Sequence, residues 1–164
     1  MDFGSGTGCL ILSVLSERPQ ATGVGVDVSK DALKIANENA KKMPFVARVA
    51  FLESDWGENL SGLFDCILAN PPYIASDDID GLAPEVARFE PRLALDGGID
   101  GLDCYRALSK DVKRLLAPSG KAFFEIGEGQ APEIGDILEA ANLRVVRSVA
   151  DLGAHIRCLI AQHY

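Results

Sequence analysis

Four consecutive residues, Asn70-Pro71-Pro72-Tyr73, could present hydrogen-bond acceptors to an –NH2 group at the end of an apolar run. The run, Phe64–Ala69, is typical of a buried strand. Two prolines must end it, because proline has no backbone N–H and cannot sit inside a central strand. The residue before a proline is also held in extended geometry. We therefore expect a rigid corner at the carboxyl end of a strand, with the Asn70 side chain and two carbonyls facing outward. An isolated Asn-Pro pair would indicate only an ordinary turn.

A glycine-rich loop, Gly4-Ser5-Gly6-Thr7-Gly8, stands between a short strand tail, Met1-Asp2-Phe3, and a helix predicted over Cys9–Ser16. This order is typical of a nucleotide-type binding turn, because glycines let the backbone approach a ligand and the helix N-terminus supplies free N–H groups. By itself the loop is a weak signal. Its spacing is G-x-G-x-G rather than the G-x-G-x-x-G of dinucleotide binders, and Asp2 precedes it. This indicates a ligand with a cationic amino-acid end.

An acidic residue, Asp27, ends the next predicted strand, Ala21–Val26. A carboxylate in this place, about 20 residues past a glycine loop, suits bidentate acceptance from ribose hydroxyls. The alternative role is helix capping, but Ser29 already fills that role for a helix predicted over Lys30–Lys42. We therefore favour Asp27 as a ligand-binding residue.

Asp55 and Trp56 follow a third predicted strand, Ala47–Leu52. There, an adenine could be hydrogen-bonded and covered, although Trp56 is equally well interpreted as a packing residue. Three consecutive predicted strands thus place a polar residue at their carboxyl ends, where ligands bind in open α/β sheets. These residues are Asp27, Asp55 and Asn70. This coincidence is the strongest physical indication of a binding site in the chain.

A long connection over residues 74–101 follows the corner and carries four acids, Asp77, Asp78, Asp80 and Glu85. Connections of this length are usually functional or mobile, and we expect this one to cover the Asn70 corner and to include a short helix within 81–88.

The last two predicted strands are close enough for a hairpin, so one of them must be antiparallel. The elements predicted after the connection are a helix from Leu102 to near Pro118-Ser119-Gly120, a strand over Lys121–Ile126, a helix from Pro132 to about Ala141, and strands over Arg144–Ala150 and His155–Ala161.

Length and composition indicate one globular domain over residues 1–164, since 48% of the residues are hydrophobic and 24% are charged. The net charge of −8 argues against direct nucleic-acid binding, which needs basic surface to neutralise phosphates. No apolar run of about 18 residues and no leader peptide is present, so we expect neither a membrane span nor a signal peptide. The cysteines form no C-x-x-C pair, which favours a reducing, cytoplasmic protein with no metal site and no disulfide framework. They are Cys9, Cys66, Cys104 and Cys158.

The Asp2–Gly8 loop, Asp27 and the Asn70–Tyr73 corner together resemble a class I S-adenosylmethionine-dependent methyltransferase that acts on an amino or amide nitrogen. The closer resemblance is to the HemK-like family of protein-(glutamine) methyltransferases, which modify the glutamine of the Gly-Gly-Gln loop in peptide chain release factors. The segments that carry this closer resemblance are Phe89-Glu90-Pro91, Ala94-Leu95-Asp96-Gly97-Gly98-Ile99-Asp100-Gly101-Leu102, Glu125-Ile126-Gly127 with Gln130, and Asp151-Leu152-Gly153.

The resemblance implies an α/β, Rossmann-like fold with a seven-stranded, mostly parallel sheet and one antiparallel strand in a C-terminal hairpin. It implies S-adenosyl-L-methionine as cofactor and a peptide chain release factor as protein substrate. There are two departures from the family pattern. We expect the family's N-terminal helical domain to be missing from this chain, and, since Met1-Asp2-Phe3 is all that precedes the glycine loop, we expect a truncated first strand.

The resemblance also implies roles for the site residues. Asn70 and the Pro71 carbonyl would accept the two N–H bonds of the substrate glutamine, and Tyr73 would pack against its side chain. Asp2 would face the amino group of the cofactor, and Asp27 would hold its ribose. The loop glycines that would admit the methionine portion are Gly4, Gly6 and Gly8.

Two other functions remain open at this point. A nucleic-acid methyltransferase could use the same corner for an exocyclic amine of adenine or guanine, although it should carry a basic stripe for phosphates. Alternatively, the chain could be a truncated, inactive or partner-dependent fragment that only binds cofactor. A dinucleotide oxidoreductase is a weaker alternative, because it would leave the Asn70 corner unexplained.

Overall fold

Strands and helices alternate along the chain, whose computed structural model describes residues 1–164. Single turns of 3-10 helix at Val46–Arg48, Ile79–Gly81 and Arg92–Ala94 supplement the regular elements. The regular elements are β1 (Asp2–Phe3), α1 (Cys9–Glu17), β2 (Gly23–Asp27), α2 (Lys30–Lys41), β3 (Val49–Glu53), β4 (Phe64–Ala69), α3 (Pro84–Ala87), α4 (Asp103–Leu115), β5 (Leu116–Glu125), α5 (Ala131–Ala140), β6 (Leu143–Ala150) and β7 (Ile156–His163).

All seven strands form one sheet in the order β3-β2-β1-β4-β5-β7-β6. Strands β1 to β5 are parallel, whereas β7 runs antiparallel to both of its neighbours, β5 and β6. This confirms the predicted α/β fold with a mostly parallel sheet and one antiparallel strand in a C-terminal hairpin. The strand order reverses between β1 and β4, and ligands of open α/β sheets bind in the crevice at such a switch point.

Strand β1 has two residues, yet it lies in the middle of the sheet. Phe3 pairs with Val26 of β2 on one side and with Ala69 of β4 on the other. Its side chain is fully buried and belongs to the larger core cluster. Burial of a phenylalanine side chain of this kind stabilises a fold by roughly 1.5–3 kcal/mol. The two-residue strand is thus anchored by its side chain as well as by its backbone.

Hydrophobic clusters cover both faces of the sheet. The larger cluster joins α4 and α5 to the central strands, and the smaller one joins α1 and α2 to β3. Val26 belongs to the larger cluster, whereas a Cβ on its neighbour Gly25 would meet the Phe51 ring beside the smaller one. Because successive residues of a strand point to opposite faces, the two clusters lie on opposite sides of the sheet.

The passage from α4 to β5 differs from the sequence-based expectation. The helix ends at Leu115, and the strand begins at Leu116 rather than at Lys121. Leu116 already pairs with Phe64, and the register shifts before Cys66 pairs with Lys121. The Pro118-Ser119-Gly120 stretch therefore forms an irregularity inside the strand rather than a turn before it. A Cβ on Gly120 would lie 2.9 Å from the Phe64 carbonyl oxygen, so only glycine fits this close passage.

We expect the substitution Tyr105→Phe to lower the free energy of unfolding by about 1–2 kcal/mol. Tyr105 is fully buried in α4, and its hydroxyl donates to the Glu125 carbonyl at the end of β5, at 2.7 Å. Burial also raises the pKa of this hydroxyl. Without the hydroxyl, the Glu125 carbonyl loses this hydrogen-bond donor. Urea unfolding measures the change.

Tyr164→Phe is the matched control for this prediction. Its hydroxyl donates to Glu139 at 2.8 Å, but the residue is 67% exposed. Water can replace the lost hydrogen bond, so the urea midpoint should stay unchanged. Equal midpoints for both variants would show that the Tyr105 hydroxyl does not support the end of β5.

Candidate functional site

The carboxyl ends of the parallel strands β1, β2, β3 and β4 meet at one edge of the sheet. Phe3 pairs with Val26 and Ala69, so the loop that begins at Gly4 and the corner that begins at Asn70 leave the sheet side by side. On the other side of β2, Asp27 pairs with Glu53. This register brings all the predicted site residues of the first four strands to the same edge.

The glycine loop borders open space at Gly6 and has room for a further atom at Gly4. Gly4 and Gly6 have φ of +61° and +53°, in the left-handed region that favours glycine. A Cβ on Gly6 would meet nothing within 4 Å, and one on Gly4 would meet only the Trp56 ring, at 3.7 Å. Gly8 differs, because a Cβ there would lie 2.8 Å from the Phe51 ring. Gly4 and Gly6 thus leave room for a ligand, whereas Gly8 lets α1 pack closely on β3.

The Asp27 carboxylate holds the glycine loop against the end of β2. One oxygen accepts a hydrogen bond from the Gly6 amide at 2.8 Å, and the other accepts from the Ser29 amide at 2.8 Å. Ser29 itself caps α2, as predicted, since its hydroxyl accepts from the Ala32 amide at 3.2 Å. Each carboxylate oxygen has a second lone pair, so Asp27 can still accept hydrogen bonds from a ligand.

Asp2 is a buried acid beneath the glycine loop, with only 2% of its surface exposed. It accepts a hydrogen bond from the Ile11 amide in the first turn of α1, at 3.2 Å. The N-cap residue of that helix is Gly8, which has no side chain that could accept a hydrogen bond from the first turn. Burial raises the pKa of Asp2 to about 7, against the opposing effect of the Ile11 hydrogen bond. A cation placed beside Asp2 would favour its ionised form.

Asp55 and Trp56 follow β3 at the same edge. Asp55 is exposed, and Trp56 is half-buried with φ of +44°. The Trp56 ring meets the Phe3 ring edge to face, with centroids 6.4 Å apart. Trp56 therefore packs on β1 and also lines the space next to Gly4. The adenine-binding role of both residues stays a prediction.

Two buried serines at this edge were given no role by the sequence. Ser5 and Ser54 are each 7% exposed, and neither hydroxyl has a hydrogen-bond partner. A buried hydroxyl without a partner costs roughly 1–3 kcal/mol, so such groups require an explanation. Their amides extend the ladder of the sheet, Ser5 to the Val26 carbonyl at 2.8 Å and Ser54 to the Asp27 carbonyl at 3.1 Å. The only signal in the sequence is a small polar residue within two positions of a strand end.

The connection over 74–101 folds back on itself, so that its last residues pair with its first ones, just after the corner. Ile74 donates to the Leu95 carbonyl at 3.1 Å and accepts from the Gly97 amide at 2.8 Å, and Ser76 donates to the Gly98 carbonyl at 2.9 Å. Asn70 nevertheless stays exposed. The connection therefore leaves Asn70 uncovered, and the expectation that it covers the corner stays a prediction for Pro71, Pro72 and Tyr73.

The corner itself combines one exposed residue with buried neighbours. Asn70 is exposed, Pro71 is buried, and Tyr73 is half-buried against the larger core cluster. Gln130, which lies between β5 and α5, donates from its side chain to the Tyr73 carbonyl at 2.9 Å. The sequence marked Gln130 as part of a motif but did not indicate this contact, which joins residues far apart in the chain.

No three His, Cys, Asp or Glu side chains are grouped so that they could hold a metal ion. None of the helices has both the length and the apolar character needed to cross a membrane.

Known proteins similar to this chain match it over nearly its whole length. The family model described as "Methyltransferase small domain" matches residues 1–87. A release factor glutamine methyltransferase of Rhodospirillum rubrum is 45% identical over 162 residues, which cover 99% of this chain and 50% of that protein. The protein of the same name from Caulobacter vibrioides is 45% identical over 161 residues, covering 98% of this chain and 56% of that protein. The chain thus spans about half the length of these relatives.

Similarity in structure extends to proteins of low sequence identity. The solved structure of the glycopeptide N-methyltransferase MtfA, complexed with S-adenosyl-L-methionine, matches with a TM-score of 0.69 at 12% identity. The match covers 99% of this chain and 86% of that one. At such low identity, the likeness concerns the fold alone.

We expect Asp2→Asn to change how stability depends on pH. The pKa of Asp2 is raised from its ordinary value of 3.8 to about 7, so between these values the folded chain holds a proton that the unfolded chain has released. Wild-type stability should therefore fall relative to the variant as pH rises from 5 to 8, by roughly 2–3 kcal/mol. Asparagine does not titrate, and its carbonyl oxygen can still accept from Ile11. Urea unfolding of both proteins at the two pH values measures this difference.

Asp31→Asn is the control for the pH dependence. It removes an exposed acid from the first turn of α2, and its effect should differ far less between pH 5 and pH 8. Parallel stability curves for wild type and Asp2→Asn would show that burial does not raise the pKa of Asp2.

Proposed function

The chain belongs to the methyltransferase small domain family, and from this premise we propose that it transfers a methyl group from S-adenosylmethionine to the side-chain amide nitrogen of a glutamine in a peptide chain release factor. One observation carries the proposal. Because Phe3 pairs with Ala69, the exposed Asn70 lies next to the start of the glycine loop. An amide bound at Asn70 would therefore lie beside a ligand bound on that loop.

The residues at this edge fit S-adenosylmethionine. Gly6 borders open space, and the hydroxyls of Ser5 and Ser54 lack partners within the chain. Asp27 retains lone pairs for the ribose hydroxyls, and the buried Asp2 carboxylate suits the cationic amino group. When bound, this cofactor supplies a methyl group on a positively charged sulfur. Two more residues at the edge, Asp55 and Trp56, would bind and cover the adenine.

The corner suits an amide as methyl acceptor because Pro71 and Pro72 present carbonyl oxygens and have no N–H to compete. An amide nitrogen is a poor nucleophile, since its lone pair is delocalised into the carbonyl. In the proposal, the Asn70 side-chain oxygen and the Pro71 carbonyl accept the two N–H bonds of the substrate glutamine. This directs the nitrogen toward the methyl group, and such positioning can be worth roughly 7–11 kcal/mol of the barrier. Tyr73 packs against the glutamine side chain and keeps water away.

A protein acceptor is favoured over a small molecule by the surface of the connection between β4 and α4. This connection exposes Phe89, Leu93 and Ile99, which are 81%, 65% and 92% exposed. Apolar side chains at these positions would be removed from water if a protein bound there. The relatives from Rhodospirillum rubrum and Caulobacter vibrioides are named release factor glutamine methyltransferases, which supports a release factor as the acceptor.

Transfer of a labelled methyl group tests this function directly. The chain is incubated with methyl-labelled S-adenosylmethionine and a release factor, in parallel with the same release factor carrying asparagine in place of the Gly-Gly-Gln glutamine. We expect label only in the unaltered factor, at the glutamine amide, as located by mass spectrometry. Label in duplex DNA or ribosomal RNA but not in the release factor would contradict the proposal.

In the same assay, Asn70→Ala should lower the rate of transfer by roughly 100-fold or more, because the acceptor amide would lose the group that orients it. Asn59→Ala is the control, since Asn59 is also exposed but lies in the loop after β3. Its rate should match that of the wild-type chain. Full activity of Asn70→Ala would rule out the orienting role.

Asp27→Ala should weaken the binding of S-adenosylmethionine by roughly 10- to 100-fold, because hydrogen bonds to a charged group contribute about 1.5–3 kcal/mol. The fluorescence of Trp56, the single tryptophan, provides the measurement, since its ring lies beside Gly4. Asp31→Ala serves as the control and should bind like wild type. Unchanged affinity of Asp27→Ala would disprove the ribose assignment.

A further inference from the structure

The Asn70–Tyr73 corner has a backbone that is poor in hydrogen-bond donors. Pro71 and Pro72 have no N–H, so between Asn70 and Tyr73 the main chain offers only carbonyl oxygens. With no N–H at two of its four residues, this stretch depends more on the hydrogen bonds that its carbonyls accept from donors elsewhere in the chain.

Gln130 supplies such a donor. Its side-chain Nε2 donates to the Tyr73 carbonyl at 2.9 Å, and its Oε1 accepts from the Gly127 amide at 2.9 Å. Because one partner is a carbonyl and the other an N–H, a single orientation of the side-chain amide satisfies both. The side chain thus connects the loop after β5 to the corner.

The space around this contact is filled on two sides by backbone. A Cβ on Gly127 would lie 2.6 Å from Gln130 Oε1 and 3.1 Å from the Tyr73 ring. A Cβ on Gly101 would overlap the Tyr73 carbonyl and lie 2.8 Å from Gln130 Nε2. Three segments of the chain therefore converge on the Tyr73 carbonyl, and Gln130 joins two of them, the corner and the loop after β5, by hydrogen bonds.

The position of Gln130 in the chain separates this role from helix capping. Gln130 is the N-cap residue of α5, but its side chain makes no capping hydrogen bond. Glutamine is also not among the residues that cap helices well. A substitution at Gln130 therefore removes the link to Tyr73 without removing a helix cap.

We propose that Gln130 is a positioning residue that holds the Asn70–Tyr73 corner in the orientation needed for methyl transfer. By fixing the Tyr73 carbonyl, it keeps the Asn70 side chain and the Pro71 carbonyl where they meet the acceptor amide. This inference rests on the proposed function. The effect should be measurable, because a misplacement of about 1 Å at a reacting centre can cost roughly 100-fold in rate.

Gln130→Met tests the link, since methionine has a similar length but cannot donate to a carbonyl. We expect kcat for the release factor to fall roughly 10- to 100-fold while the affinity for S-adenosylmethionine, read from Trp56 fluorescence, stays within about twofold. Amide hydrogen exchange of residues 70–76 should become faster, a readout that needs no cofactor and no substrate. Gln20→Met, at an exposed position, is the matched control and should leave all three measurements unchanged.

Gln130→Glu adds a test based on pH. A glutamate keeps the acceptor for Gly127 but can donate to Tyr73 only when it is protonated. The activity of Gln130→Glu relative to wild type should therefore rise as pH falls, whereas the relative activity of Gln130→Met should stay constant. A flat ratio for both variants would contradict a role that depends on the donated hydrogen bond.

The outcomes separate this inference from the proposed function. Unchanged exchange at residues 70–76 in Gln130→Met would overturn the inference, whether or not the chain methylates a release factor. Faster exchange with unchanged kcat would show that the hold on Tyr73 does not matter for transfer, and would overturn it as well. If the wild-type chain transfers no methyl group to a release factor, the proposed function fails, and so does the part of the inference that connects Gln130 to methyl transfer. The exchange result still decides whether Gln130 holds the corner.

Discussion

The pairing of Phe3 with Val26 on one side and Ala69 on the other is the constraint on which the candidate site depends. In parallel strands the register decides which residues leave the sheet together. Here it places Gly4, at the start of the glycine loop, beside Asn70, at the start of the corner. A shift of one residue in either pairing would turn side chains to the opposite face and separate the two halves of the site. The burial of the Phe3 ring in the larger core cluster holds this register.

Around this centre, side chains replace the backbone hydrogen bonds that the loops cannot make among themselves. Asp2 accepts from the first turn of α1, Asp27 accepts from Gly6 in the glycine loop, and Gln130 donates to the Tyr73 carbonyl. Glycine and proline are the reason for these three contacts. Gly8 has no side chain with which to cap α1, Gly6 adopts a left-handed conformation, and the prolines of the corner have no N–H to donate. Each of these three backbone features is thus satisfied by a polar side chain from another part of the chain.

Several polar groups at this edge lower the stability of the chain. The pKa of Asp2 is raised to about 7 by burial, so its ionised form is unfavourable in the folded chain. The hydroxyls of Ser5 and Ser54 are buried without partners. A core selected only for stability would replace such groups with apolar ones. Their presence together, beside open space at Gly6, fits the proposed binding of a cationic, hydroxyl-rich ligand.

The sequence alone determined the succession of strands and helices along the chain, the antiparallel hairpin and the residues at the strand ends. These features follow from apolar periodicity and from the positions of glycine and proline. It could not determine where β5 begins, since Leu116 joins the sheet only through its pairing with Phe64. Nor could it show that Gln130 reaches Tyr73, that Gly8 packs on Phe51, or that Asn70 stays exposed. Local patterns report what neighbouring residues do to one another, whereas each of these features depends on contacts between distant segments. Only the packed sheet brings those segments together, so the geometry of the site is decided by the tertiary structure.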